Sequence, residues 1–260
     1  MLNYYITQTQ RLLQNPGAPV SLYSTADITS YINTARGQVA GEGRCVRSIG
    51  TISTVVGQRN YNFSGISFGT PSATGIAGAI NVQRIQYNVG QGQKWIKGKS
   101  WPWFDFQRFN NPVPTSGPPT EWAQYGAGSA GIGAITNEGA GTVLSGSFYL
   151  DPLPDYAYVL NCDCVCYPQA LALDADIEAV PYLWSDSVPY FAAYLALLSA
   201  QTSTRVQQAQ QYYALYEQFV ARARDFANPD LNNFAFPQSQ DPTRANRFGG
   251  PVQQASGNAQ

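Results

Sequence analysis

The sequence contains no histidine. Histidine is the commonest general base and the commonest metal ligand, so its absence argues against the usual activated-nucleophile enzymes and the usual zinc sites. The cysteines are Cys45, Cys162, Cys164 and Cys166, and a Cys-x-Cys-x-Cys run without histidine is not a usual zinc spacing. Alternate residues of a strand point the same way, so we predict a stripe of buried, reduced thiols. We expect no metal and no cofactor.

Charge is also scarce. Charged residues make up 12% of the chain, about half of the roughly 25% of an average protein, and the formal net charge is -1. A near-neutral chain gives no broad electrostatic reason for tight binding to nucleic acid or membranes. No apolar run approaches the ~20 residues that span a bilayer, and the N-terminus lacks a signal-peptide pattern. We therefore expect a soluble protein that is made in a cytoplasm and has no membrane partner.

Residues 185–228 predict two helices folded back on each other. The first carries apolar residues at steps of three and four, namely Val188, Phe191, Leu195 and Leu198. The second carries a matching stripe, namely Val206, Ala209, Tyr213, Tyr216, Val220 and Ala223. Such an amphipathic hairpin is not stable alone in water, so its partners must come from elsewhere in the chain or from another subunit.

Two more helices are predicted at the start of the chain. Residues 2–14 are amphipathic, and Ser24 with Asp27 resembles a capping box that opens a second helix. The simplest packing is an α+β fold: a four-helix bundle built from residues 1–44 and 169–228, with an antiparallel β-domain, residues 45–168, inserted between them. Residues 229–260 are rich in proline, asparagine and glutamine and are predicted to form an extended C-terminal tail.

Within the predicted β-domain, residues 49–56, 61–63 and 80–87 have strand-like patterns, and a later strand carries the three close cysteines. Residues 123–147 are rich in glycine and lack the lysine of a phosphate loop, so we predict an excursion between two strands. Residues 95–106 combine tryptophans and phenylalanines with lysines. Stacking of single-stranded nucleic acid is one interpretation, but filling of a core or an interface is favoured, because the lysines are few.

In the order of their predicted elements and in their residue composition, residues 1–228 resemble the head-to-tail adaptors (connector or tail tubular proteins) of tailed bacteriophages, especially short-tailed ones. The resemblance is carried by residues 23–36, 117–123, 150–155 and 180–184, and by the tyrosine- and alanine-rich hairpin that follows. It implies a structural virion protein, not an enzyme, that forms a ring of about twelve copies between the portal of the DNA-filled capsid and the tail. DNA would pass through the channel during genome ejection without being specifically bound.

The resemblance also implies binding partners. The C-terminal segment would dock on the portal, with five residues as its suspected contacts: Phe234, Phe236, Arg244, Arg247 and Phe248. The tail nozzle, and in some phages the fibres, would meet another surface, for which the suspected contacts are Trp95, Trp101, Trp103, Gly128 and Gly131. The alternative function is a nozzle, fibre-docking or receptor-binding virion protein.

A third hypothesis is a tail-associated hydrolase. Its candidate carboxylates are Asp151, Asp155, Asp174, Asp176 and Glu178. Turn formation explains Asp151 and Asp155 better, the others fit a solvated loop, and nothing in the sequence fixes any pair at the separation that a glycosidase needs.

Overall fold

The computed structural model describes residues 1–14, 22–89, 92–110, 115–126, 146–199 and 203–227. The fold is mixed α+β, as predicted. Its helices are α1 (Leu2–Leu12), α2 (Thr25–Gly43), α3 (Pro71–Thr74), α4 (Trp101–Asn110), α5 (Tyr182–Ser185), α6 (Ser187–Ser199) and α7 (Ser203–Ala227). Its strands are β1 (Arg47–Ser53), β2 (Asn60–Asn62), β3 (Ile76–Val89), β4 (Gly92–Lys99), β5 (Glu121–Tyr125), β6 (Ser147–Asp151) and β7 (Val159–Pro168).

The strands form one seven-stranded sheet in the order β1-β7-β3-β4-β5-β6-β2. Most neighbours are antiparallel, but β4 and β5 run parallel. The prediction of a wholly antiparallel sheet is therefore wrong at this pair. Parallel neighbours need a crossover, and α4 lies in the connection between β4 and β5. The sequence analysis assigned no helix to this segment.

The predicted helices at both ends of the chain form and contact one another. The capping box of α2 is present, because the Ser24 hydroxyl accepts a hydrogen bond from the Asp27 N–H and the Asp27 carboxylate bonds back to Ser24. Helix α6 packs against α1, α2 and α7, and α2 also packs against β7. Leu198 is 37% exposed, so its placement on the buried face of α6 is wrong. Small residues, Ala192 and Ala196, occupy that face and allow neighbouring helices to approach closely.

One hydrophobic core joins the helices to the sheet. It contains Ile32 of α2 and Ile85 of β3 among its fully buried residues, and Leu195 of α6 packs against it. Residues Met1–Ala227 form one compact unit. The proposed boundaries between a helical domain and a β-domain remain a prediction. In the described ranges, no helix is both long enough and apolar enough to span a bilayer.

Candidate interaction surface

The three tryptophans of the suspected tail interface lie on β4 and at the start of α4, but their surroundings differ. Trp95 is 57% exposed on β4, whereas Trp101 and Trp103 are half-buried. Gly128 and Gly131 lie outside the described residues, as do all five suspected portal contacts in the tail. The strands on either side of the glycine-rich stretch, β5 and β6, pair with each other, as an excursion between two strands requires.

Trp101 anchors α4 to the sheet. Its ring lies 4.7 Å from the ring centroids of both Tyr125 and Tyr149, and 6.1 Å from that of Phe104. Aromatic pairs at these separations add to the stabilisation that burial alone provides. Trp101 therefore has a structural role that fixes the position of the helix.

Trp103 and Trp95 each have a cation over the ring. Lys99 Nζ lies 3.9 Å from the Trp103 ring centroid and also forms an ion pair with Glu121 at 3.2 Å. The Arg84 guanidinium carbon lies 5.9 Å from the Trp95 centroid. These separations are within the reach of a cation–π interaction, so both rings are held in place while Trp95 stays open to solvent.

The outward side of α4 adds further apolar surface. Phe106 is 66% exposed and Phe109 is 85% exposed. We call Trp95, Trp103, Phe106 and Phe109 the α4 surface. Trp103, Phe106 and Phe109 follow one another at three-residue steps along α4. Exposed aromatics that share a helix face mark interaction sites more often than single exposed residues do. The exposure of Phe106 and Phe109 makes the α4 surface a candidate protein-binding site.

Every lysine of the sequence lies on β4. Ile96 is buried in the core, so its neighbours Trp95 and Lys97 point to the opposite, outward face of the sheet. Lys94 pairs in register with Tyr87, which is buried, and so lies on the other face. Among the described residues, neither Lys94 nor Lys97 forms an ion pair, although both are exposed.

A cleft on the helical side of the molecule was not predicted. It has a volume of about 260 Å³ and lies between α1, α6 and α7. Its lining residues are Tyr4, Gln8, Leu12, Asp186, Pro189, Tyr190 and Phe219. Tyr4 Oη donates a hydrogen bond to Asp186 at 2.8 Å, and the Tyr190 and Phe219 rings are stacked with centroids 5.9 Å apart. The four-residue steps from Tyr4 to Gln8 and Leu12 were the available sequence signal.

The sequence analysis also missed a buried ion pair. The Arg36 side chain of α2 is 1% exposed, and its Nε and Nη2 donate to the Glu178 carboxylate at 2.8–3.1 Å. Its Nη1 donates to the Gln169 carbonyl at 2.6 Å and to Asn33 Oδ1 at 3.2 Å. Asn33 exchanges two hydrogen bonds with the Leu171 backbone. This network, which we call the Arg36 latch, fastens the segment after β7 to α2.

The candidate hydrolase carboxylates all have structural partners, beginning with the two that precede β7. Asp151 forms an ion pair with Arg59 at 3.2 Å, and Asp155 accepts a hydrogen bond from Tyr158. Burial raises the pKa of Asp151 despite the nearby arginine. Both residues are in or next to the turn that links β6 to β7, as their interpretation as turn formers predicted.

The other candidate carboxylates lie after β7. The N-terminal ammonium lies 2.7 Å from Asp174, and hydrogen bonding to it lowers the Asp174 pKa. Asp176 accepts hydrogen bonds from the backbone N–H groups of Leu173 and Ala172, which lower its pKa. Glu178 belongs to the Arg36 latch. Each carboxylate thus stabilises the loop in which it lies.

The cysteines are buried as predicted. Cys162, Cys164 and Cys166 are fully buried on β7, Cys45 is half-buried, and all four are free thiols. Burial raises the pKa of Cys162 and Cys166 to about 12 and that of Cys45 to about 11. Within the described part of the chain, no cluster of cysteine and acidic residues has the geometry of a metal site.

These features describe a mixed α+β protein that has exposed aromatic and charged surfaces. Its candidate catalytic carboxylates form contacts that stabilise loops. The family model of the SU10 adaptor protein matches residues 5–233. The chain therefore belongs to this family of phage head-to-tail adaptors, which confirms the predicted family and a structural role in a bacteriophage. No curated protein matches the chain.

Proposed function

We propose that this protein forms a ring that joins the portal of the DNA-filled capsid to the tail, in the neck of the virion. The observation that carries the proposal is the adaptor-family match over residues 5–233. The contacts between helices from both ends of the chain support a four-helix bundle, residues 1–44 and 169–228. In this proposal, as the resemblance implies, the bundle is the part nearest the ring axis. Residues 45–168 would then form the β-domain and residues 229–260 the tail.

The near-neutral charge of -1 supports a channel through which DNA moves without being gripped. Twelve copies is the number that the resemblance implies. The protein would be made in the host cytoplasm and act as a structural component during genome ejection, without catalysis. An assay of peptidoglycan digestion tests the last point, because activity above that of a heat-denatured sample would contradict it.

Mixing the purified protein with portal rings of the same phage tests the function directly. We expect electron microscopy to reveal a second ring on one face of the portal. Its copy number can be counted from averaged end views. A protein that leaves portals bare at all concentrations would contradict the proposal.

In this proposal the C-terminal tail is the portal anchor. Its aromatic residues, Phe234, Phe236 and Phe248, would supply most of the binding energy, and Arg244 and Arg247 would add charge contacts. Deletion of residues 229–260 should leave a folded protein that no longer joins portals. A matched full-length variant with the three phenylalanines changed to alanine separates their side chains from the length of the tail. Unchanged assembly of both variants would contradict the anchor.

The second candidate is a nozzle, fibre-docking or receptor-binding protein, and the exposed α4 surface favours this possibility. Trp95 on β4 and Phe109 on α4 are open to solvent, and Trp101 holds α4 in place. In the adaptor proposal, the same surface receives the nozzle or the fibres, and Gly128 and Gly131 are further suspected contacts. Electron microscopy of virions separates the two candidates, because an adaptor touches the portal and a receptor-binding protein lies at the distal end.

A further inference from the structure

Exposed apolar side chains surround the point where the chain leaves its folded unit toward the C-terminal tail. Tyr182 is 85% exposed, Leu183 is 68% exposed and Phe226 is 64% exposed. Helix α7 ends at Ala227, the residue after Phe226, and the compact unit ends at the same residue. We call Tyr182, Leu183 and Phe226 the tail-root surface.

The tail-root surface has a rigid support. The Trp184 ring is nearly buried, and its centroid lies 5.7 Å from that of the Phe226 ring, so it joins α5 to α7. The Arg36 latch holds the segment before α5 on α2. Within that segment, Asp176 accepts hydrogen bonds from two backbone N–H groups. Apolar side chains that are already held in place lose little conformational entropy when a partner binds them.

The tail-root surface lies at one end of the sheet. Arg47 Nη1 donates a hydrogen bond to the Ala227 carbonyl at 3.3 Å, and Arg47 pairs in register with Val165, near the end of β7. Strand β7 begins at Val159, which is about 20 Å from Val165 along the strand. Tyr156, which is exposed and precedes β7, therefore lies at the opposite end of the sheet.

The length of the chain beyond α7 indicates which partner the tail-root surface meets. In the proposed function, Phe234 binds the portal, and this residue follows Phe226 by eight positions. An extended chain spans at most about 3.3–3.6 Å per residue, so a portal site that binds Phe234 lies within about 29 Å of Phe226. Of the two ends of the sheet, the one with the tail-root surface must then face the portal.

The area of the tail-root surface suits a contact that supplements another. A large aromatic side chain presents about 150–250 Å², so the three exposed side chains together present roughly 300–450 Å². This area is about half of the ~800 Å² per partner that a stable complex buries. The surface is therefore too small to hold a partner alone, but a tail bound to the same partner would keep it at a high effective concentration.

We propose that the tail-root surface is the folded part of the portal contact and binds an apolar patch of the portal together with the C-terminal tail. The inference rests on the proposed function and adds the face of the folded unit that meets the portal. A neighbouring copy of this chain is the competing occupant, and the experiments below distinguish it from the portal.

Crosslinking to portal rings of the same phage tests the position of the surface. Full-length Leu183→Cys is labelled with a benzophenone maleimide, mixed with portal rings and illuminated. Mass spectrometry should identify crosslinks to the portal. The native thiols should label little, because burial raises their pKa values.

The matched control for crosslinking is Val56→Cys. Val56 is 62% exposed, and the N–H of the adjacent Gly57 donates to the Pro154 carbonyl, which places Val56 at the opposite end of the sheet. This variant should give no crosslink to the portal. Equal crosslinking from the control would overturn the proposal. A Leu183→Cys protein that assembles on portals but crosslinks only to a second copy, or to nothing, would also overturn it.

Removal of the apolar side chains tests their contribution to binding. Tyr182→Ser/Leu183→Ser should weaken binding to portal rings by about tenfold in a titration, the effect of losing a well-packed interface residue. Its melting temperature should stay near that of the wild type, because both side chains are exposed. The control Tyr156→Ser/Val56→Ser removes similar exposed side chains from the opposite end and should bind portals as the wild type does.

The outcomes separate this inference from the ring function. If Tyr182→Ser/Leu183→Ser binds portals as the wild type does, the tail-root contact is overturned and the ring function stands. If this variant instead loses self-association in sedimentation without portals, the surface binds a second copy and the proposal is overturned. If the wild-type protein does not assemble on portals, the ring function fails and the contact fails with it.

Discussion

Loss of the Arg36 latch is the perturbation for which the structure predicts the largest effect. Arg36→Met removes the guanidinium and keeps much of the side-chain volume. Glu178, whose side chain is 9% exposed, would then be a buried carboxylate without its cation, and the Gln169 carbonyl would lose a donor at 2.6 Å. Removing one member of a buried ion pair costs about 3–5 kcal/mol, because the remaining charge cannot be solvated.

A loss of this size is easily measured. In a unit of about 150–250 residues, each kcal/mol lowers the melting temperature by about 2–4 °C, so we expect a decrease of about 6–20 °C. Circular dichroism during heating, or unfolding in urea with a two-state fit, measures the change. The double variant Arg36→Met/Glu178→Leu should recover part of the loss, since no charge is then left buried.

The matched control is Asp174→Asn. Asp174 lies on the same loop as Glu178 and pairs with the N-terminal ammonium, but this pair is exposed to solvent. Exposed ion pairs contribute little to stability because solvent screens them, so the melting temperature should change by only a few degrees. A loss of less than about 1 kcal/mol for Arg36→Met would contradict the latch as a major stabilising contact.

Three further predictions concern the core and α4. At pH 8 the thiols of the folded protein should react with a thiol reagent about a hundredfold more slowly than in urea, because burial raises the pKa of Cys45 to about 11. The reaction of the folded protein should become faster as the pH approaches the pKa of Cys45. Gly50→Ala should cost about 1–3 kcal/mol in urea unfolding, because a Cβ would lie 2.7 Å from Phe68 Cε1; Gly41→Ala, with open space around it, should stabilise α2 by roughly 0.5–1 kcal/mol. Trp101→Ala should lower the melting temperature, whereas Phe109→Ala, at an exposed position, should not.

Sequence patterns correctly predicted the helices and strands that bury one face along their whole length. The stripe that includes Ala209, Tyr216 and Val220 is buried on α7, and the cysteines alternate along β7 as a half-buried strand requires. Helix α4 was missed because its Trp-Pro-Trp start and closely spaced aromatics have no helical apolar period. Its amphipathic pattern is obscured by Phe106 and Phe109, which point to solvent.

The latch and the cleft depend on contacts between distant segments. Arg36 and Glu178 are 142 residues apart, and an arginine on a helix normally indicates an exposed position. The cleft combines residues of α1, α6 and α7, and the sequence pattern of each helix indicates only that the helix is amphipathic. The sequence likewise could not predict that β4 and β5 pair with each other, because their parallel arrangement depends on the crossover through α4.

Low charge has a consequence for assembly. Identical copies in a ring repel one another through their net charge, and at -1 per copy this repulsion is small. Weak repulsion allows any two copies to approach, so the correct register must come from local complementarity. In the described ranges, several cations are already committed within the chain, to Glu178, Asp163, Asp151 and Glu121. Fewer charges are then left to pair with another copy, so apolar and hydrogen-bonded contacts must carry more of that complementarity.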